Sequence, residues 1–183
     1  MRAVAGVLPA QVIAMDSKVV RRSHDRWAGK GPIHMVSAWA TENRLVLAQV
    51  KVDEKSNEIT ALPELLRSLA ISGCIVTIDA MGCQREIAKQ IVDQGGDYVL
   101  ALKGNQGTLQ QDVEDSFQEA MASQFKEVVH DYAEAVNKGH GRIEVRRSWV
   151  MTDPEVMGYL NMHHQWPGLS ATGIPGRAPH RAR

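Results

Sequence analysis

The chain has 183 residues, enough for one domain with its own core and few for two. An apolar fraction of 44% with 23% charged residues is that of an ordinary globular protein. No apolar run approaches the roughly 18 residues a membrane-spanning helix needs, which excludes a membrane partner of that kind. Twenty-one basic and twenty-one acidic residues cancel, so bulk charge argues for no polyanionic partner, although local patches remain open.

Residues 1–15 are mildly apolar, but the single Arg2 and the central Pro9 make a poor secretory signal. Cys74 and Cys83 form neither a disulfide framework nor a zinc pattern, which points to reduced thiols in a cytoplasm. Residues 11–16 read as a short buried strand that ends on Asp16. Residues 17–31 are polar, basic and Gly-containing, hence a loop, with Lys18, Arg21, Arg22, Arg26 and Lys30 opposed by Asp25. Residues 33–41 and 45–52 are strand-like runs around Glu42-Asn43-Arg44 and predict an antiparallel hairpin. Alternation in the second run places Val46, Ala48, Val50 and Val52 on one face and Gln49 and Lys51 on the other.

Thr60 is placed to cap a helix whose Leu62, Leu65, Leu66 and Leu69 share a stripe, with Gly73 as its stop. Residues 74–79 are a second buried strand ending on an acid, Asp79. A helix over about 83–94 turns Ile87, Ala88, Ile91 and Val92 inward and stops at Gly95-Gly96. A short strand over 97–102 leads to Asn105, positioned to cap a longer helix bearing Leu109, Val113, Phe117 and Met121. That helix also gathers the acids Asp112, Glu114, Asp115 and Glu119. Residues 127–136 and 142–151 flank the Gly-rich turn 137–141 and predict a second hairpin. A short helix follows over 153–164, and residues 170–183 are too rich in Gly, Pro and Arg to order themselves. Three strands with hairpin links followed by alternating helices and strands imply an α/β fold with helices on both faces of a mixed sheet.

Asp16 and Asp79 stand at the carboxyl ends of central strands, where ligands of open α/β sheets bind. Two neighbouring carboxylates repel each other unless a divalent cation lies between them, and Mg²⁺ suits such hard oxygen donors. The residues alone leave Asp79 equally open as a helix cap and Asp16 as the opening of a turn. Lys103, Asn105 and Gln106 follow a central strand, where they are candidates for ligand contact, with a capping role for Asn105 as the alternative. Arg142 and Arg146 share a strand face with Glu144, which suits a solvated or phosphate-facing ladder better than a metal ligand. His24, His34, His130, His140, His163 and His164 show no spacing that suggests zinc, and Trp27 and Trp39 read as packing residues.

Several strings carry a resemblance: Val50 to Ala61, Val76 to Gln84, Gly96 to Gln106 and Gly139 to Glu144. Over Val12–Leu169 the sequence resembles the ISAs1 (H-repeat) family of bacterial DDE transposases, with an IS4-like catalytic domain. The resemblance implies an RNase H-like mixed sheet over residues 10–165, with a C-terminal hairpin and a disordered tail over 166–183. It implies Mg²⁺, or Mn²⁺ in its place, held by Asp16 and Asp79 as catalytic acids. It also implies double-stranded DNA at insertion-element ends as substrate, contacted by Lys18, Arg21, Arg22, Lys103, Asn105, Arg142 and Arg146. A further copy of the chain or a full-length transposase is the implied protein partner.

The sequence departs from the family around its first acid, where Ser17 and Arg22 stand in place of two glycines. The family's third acid lies in a segment that this sequence does not match, and Glu144 is weighed as a stand-in. The expectation is a copy truncated at both ends, its tail read out of frame and its strand transfer impaired. The alternative is a non-catalytic remnant that binds DNA or another transposase chain.

Overall fold

The computed structural model describes residues 11–19, 34–52, 58–139 and 142–176. The chain divides into two compact units where its length suggested one: residues 1–106 with 166–168, and residues 107–165 with 169–183.

The first unit is a five-stranded sheet in the order β3-β2-β1-β4-β5, built from β1 (Val12–Val19), β2 (His34–Ala40), β3 (Leu45–Val52), β4 (Ile75–Ile78) and β5 (Asp97–Leu100). β1, β2 and β3 pair antiparallel, whereas β4 pairs parallel to both β1 and β5, so the sheet is mixed. Helix α1 (Glu58–Arg67) carries the chain from β3 to β4, and α2 (Arg85–Asp93) carries it from β4 to β5. Both are crossovers between parallel strands that step the same way across the sheet. The right-handed rule therefore puts both helices on one face, and within this unit they do not cover both faces as expected.

On that face, Leu62, Leu65 and Leu66 of α1 and Ile87 and Ile91 of α2 bury against Ile13, Met15, Val36, Ala38, Val76 and Ile78. At roughly 25 cal/mol per Å² of buried apolar surface, this cluster is the main stabilising term of the unit. Helix α1 begins at Glu58, so Thr60 lies in its first turn and does not cap it. The stop after α2 is as read. Gly95, at φ +76°, donates to Val92 O and Gly96 donates to Ile91 O, a Schellman closure that needs a residue without a Cβ penalty.

Two sheet expectations are corrected. β1 extends through Val19, because Ser17, Lys18 and Val19 pair with Val36, Met35 and His34 of β2, so the loop starts later than residue 17. A bulge at Leu47 shifts the register of β3: Ala48 faces Ala38, but Val46 faces Trp39. One extra residue reverses the side-chain alternation, so Val46 leaves the core face and is half exposed beside Trp39. Trp39 is therefore not a core residue, and Trp27 lies outside the described residues.

The second unit contains α3 (Gly107–Ala122), β6 (His130–Gly139), β7 (Arg142–Met151), α4 (Pro154–His164) and β8 (Thr172–Gly176), the strands forming an antiparallel sheet in the order β6-β7-β8. In α3 the buried stripe is Leu109, Val113, Phe117 and Ala120, while Met121 is exposed. Steps of four overrun the 3.6-residue turn, so the stripe returns at the third residue after Phe117. Asp153 caps α4 by accepting from Glu155 N and Val156 N, and it also accepts from Val129 N. Those backbone donors, Val129 first, hold its carboxyl below the usual range.

The expectation of disorder from residue 166 fails for 166–176. Trp166 is buried, and Tyr98 Oη donates to Pro167 O at 2.7 Å, which returns 166–168 to the first unit. Residues 172–176 then pair with Arg147–Met151 as an edge strand. Low hydrophobicity does not prevent this, because the strand is held by main-chain hydrogen bonds, and an edge position tolerates Pro175. Residues 177–183 lie outside the described residues.

Candidate metal centre

The parallel ladder of β1 and β4 runs from Val12↔Ile75 to Met15↔Ile78. Asp16 and Asp79 are the next residue on each strand. Neighbouring strands lie about 4.8 Å apart, so the two backbones carry their acids side by side. Met15 and Ile78 are buried in the core, and alternation turns the residues after them to the opposite face. Asp79 retains an extended backbone, at φ −69° and ψ −178°, so the alternation holds there too. Both acids are exposed. Asp16 is not at the end of its strand, as the sequence suggested, but at the end of the parallel ladder within it.

The same rung continues outward. Asp16 pairs with Ser37 of β2, and Ser37 pairs with Gln49 of β3. Gln49 Nε2 donates to Ser37 Oγ at 3.0 Å. The rung thus presents Gln49, Ser37, Asp16 and Asp79 on the face away from α1 and α2. Ser37 and Gln49 were not read as site residues, because only the strand register, bulge included, lines them up with Asp16.

Lys18, two residues beyond Asp16 on the same face, places Nζ 3.5 Å from Asp16 Oδ2. Both groups are well exposed, so the pair adds little stability. Asp79 does what a cap does as well: its Oδ1 accepts from Met81 N at 3.1 Å, at the start of the 3-10 turn Ala80–Gly82. Capping occupies one lone pair of one oxygen, so the two readings of Asp79 are compatible.

Beyond β5, Ala101 N donates to Ile78 O and extends the β4–β5 pairing by one residue. Lys103, Gly104, Asn105 and Gln106 follow, the last three as a 3-10 turn. Lys103 is exposed. Asn105 is neither the cap of α3, which starts at Gly107, nor simply solvent-facing, because its Nδ2 donates to Ala80 O at 2.7 Å.

In the second unit, Glu144 is taken up by Arg146, whose Nε and Nη2 donate to Glu144 Oε1 and Oε2, each at 3.1 Å. The bond to Glu144 holds the Arg146 guanidinium above its usual pKa. Arg142 opens β7, and its side chain lies outside the described residues, as do Arg21 and Arg22.

Asp16 and Asp79 offer the donor type of a hard divalent cation, whose sites use one or two carboxylates and fill the remaining positions with water or phosphate oxygens. Among the described residues no group of three or more His, Cys, Asp or Glu is placed to hold a metal.

The first unit is thus a mixed α/β sheet with two acids at one level of neighbouring strands. The chain belongs to the transposase DDE domain family, whose pattern matches residues 8–154. Over 157 residues it is 48% identical to "Uncharacterized protein in dhlA 3'region" of Xanthobacter autotrophicus, covering 86% of this chain and 50% of that protein. It is 45% identical over 158 residues to "H repeat-associated putative transposase YhhI" of Escherichia coli (strain K12), covering 86% and 40%. With "H repeat-associated putative transposase YbfD" of the same organism the identity is 47% over 144 residues, covering 79% and 56%. The chain thus spans about half the length of the curated relatives it matches. A solved simian T-cell lymphotropic virus intasome in complex with PP2A regulatory subunit B56 gamma aligns over 97% of this chain and 85% of its own. Its identity is 10% and its TM-score 0.39. No helix among the described residues is long and apolar enough to cross a membrane.

Proposed function

We propose that the first unit is the opening part of an RNase H-like catalytic core of the ISAs1 (H-repeat) kind, and that Asp16 and Asp79 hold Mg²⁺ for phosphodiester chemistry on insertion-element DNA. The observation that carries this reading is the β1–β4 register, which brings two acids far apart in sequence to adjacent strands at one level. The strand order β3-β2-β1-β4-β5 with parallel crossovers supports the RNase H-like assignment. When bound, Mg²⁺ supplies positive charge against the negative charge that builds on the phosphate oxygens in the transition state. The chain's own residues would place that charge: Asp16 and Asp79 as ligands, with the exposed Lys103 ammonium, and that of Lys18 once it leaves Asp16, available to backbone phosphates. Arg21, Arg22, Arg142 and Arg146 complete the DNA contacts proposed from sequence, whereas the Asn105 amide, also read as a contact, is engaged by Ala80 O. The two free buried cysteines are in keeping with a cytoplasmic protein.

The third acid implied by the resemblance is matched by no residue of the sequence, and Glu144 is ion-paired with Arg146. We therefore propose that this chain by itself does not carry out strand transfer and that DNA or another transposase chain is its partner. The test is divalent-ion binding and element-end DNA processing by the purified chain, side by side. Saturable Mn²⁺ binding that Asp16→Asn and Asp79→Asn each weaken at least about tenfold is expected, without nicking or joining. Binding indifferent to both substitutions overturns the metal assignment, and Mg²⁺-dependent joining overturns the proposed inactivity.

A further inference from the structure

The segment after β5 is bonded to the turn that carries Asp79. That turn is short: Gly82 N donates to Asp79 O at 3.1 Å and Cys83 N donates to Ala80 O at 3.3 Å. A single 3-10 turn has strained hydrogen bonds and little cooperativity, so by itself it fixes a carboxylate poorly. Two side-chain amides from another strand end reinforce it. Asn105 Nδ2 donates to Ala80 O at 2.7 Å and approaches Cys83 O at 3.5 Å, and Gln106 Nε2 donates to Cys83 O at 3.1 Å. Ala80 and Cys83 are the first residue and the C-cap of the turn, and Asp79 is its N-cap. The amides therefore grip both ends of the segment that aims the acid. Gln106 N also donates to Lys103 O at 2.9 Å, which ties the loop bearing Lys103 to the same clamp.

We propose that Asn105 and Gln106 are positioning residues for Asp79: they touch neither metal nor DNA, and they fix the turn from which the carboxylate reaches a divalent ion. This rests on the reading of Asp79 as a metal ligand. A supporting group that orients a ligand without touching the metal typically changes metal affinity about 10- to 100-fold when removed. Asn105 is thereby reassigned from a DNA contact to a support of the acid. An amide serves better than a hydroxyl here, because it reaches across from the neighbouring strand end and has two N–H donors.

The test compares the full chain with Asp79→Asn, Asn105→Ala, Asn105→Asp and Gln106→Ala, using Mn²⁺ alone as the probe. Mn²⁺ affinity, the urea midpoint and the exchange rate of the Met81 amide are measured for each. Asn105→Ala is expected to weaken Mn²⁺ binding about tenfold and to speed Met81 exchange. Asn105→Asp, equal in size but without the donor, is expected to match it, and Gln106→Ala to show a smaller loss. A lowered urea midpoint with Mn²⁺ affinity and Met81 exchange unchanged in both Asn105 variants overturns the proposal and leaves a merely structural role. If Asp79→Asn leaves Mn²⁺ binding intact, the metal reading fails instead. The clamp is then judged on Met81 exchange alone, and an unchanged rate overturns it.

Discussion

Met15 of β1 and Ile78 of β4 are partners in the last rung of the parallel ladder that joins the two halves of the first sheet. Both are buried, so the rung is fixed by the core, and the two residues that follow inherit its alignment on the solvent side. Core packing thereby sets the spacing of the two acids.

The dual role of Asp79 separates two substitutions. Asp79→Asn keeps an acceptor for Met81 N and should fold with nearly native stability. Asp79→Ala removes the cap and should cost about 1 kcal/mol more. Both should lose divalent-ion affinity. Urea denaturation beside Mn²⁺ titration checks this, and equal stability of the two variants would contradict the capping bond.

Gly82 is buried in the turn, and a Cβ there would collide with Ile78 Cγ2 and approach Leu62 Cδ1 to 3.0 Å. Ile78 is β-branched and packed, so it cannot swing aside. Gly82→Ala should cost about 1–3 kcal/mol by overpacking and should also shift Asp79, weakening Mn²⁺ binding. A fully stable variant with native affinity would show that the turn yields without consequence.

Two further glycines should respond in opposite directions. Gly95 sits at φ +76° with Ser72 Oγ 3.0 Å from the position of a Cβ, so Gly95→Ala should destabilise by about 1 kcal/mol or more. Gly158 is exposed inside α4 with nothing within 4 Å, so Gly158→Ala should stabilise by up to about 1 kcal/mol. Thermal unfolding of the two variants tests the pair, and shifts of the same sign would refute it.

Burial pushes the Cys83 thiol up to about 11 from an ordinary 9.0. Burial, with the charge of Cys83 second, pushes Tyr98 up to about 12 from 10.0. Folding favours the neutral form of both, so their contribution to stability is complete below about pH 9. It falls as pH rises, through 9–11 for the thiol and 10–12 for the phenol. The urea midpoint should therefore drop across this alkaline range, and Cys83→Ala should flatten the part between pH 9 and 11. An identical slope in wild type and variant would show that Cys83 is not responsible.

Core truncation gives a larger effect than any of these. Leu65 is fully buried between α1 and the sheet, and Leu65→Ala should destabilise the first unit by about 2–5 kcal/mol. A loss below about 1 kcal/mol, measured by urea denaturation, would mean that the site collapses to fill the void.

Element types were legible along most of the chain, because helix stripes, strand alternation and glycine stops are written in local spacing. Leu62, Leu65 and Leu66 announce α1, and Gly95-Gly96 announces the end of α2. Asp16 and Asp79 were legible as candidates by residue type and place. Local spacing failed wherever one residue of register mattered. The bulge at Leu47 sent Val46 to the other face, and the strand at 172–176 is held by main-chain bonds to β7 that no composition can reveal.

The order of helices and strands, and the place of an acid in or just after two of the strands, follow from the sequence by itself, since they depend on contacts within a few residues. Tertiary structure alone decided that those acids are neighbours, that Ser37 and Gln49 extend their row, and that Asn105 and Gln106 brace the turn beneath one of them. Each of these depends on pairing between segments dozens of residues apart, and that pairing is chosen by burial of the shared core rather than by any local preference.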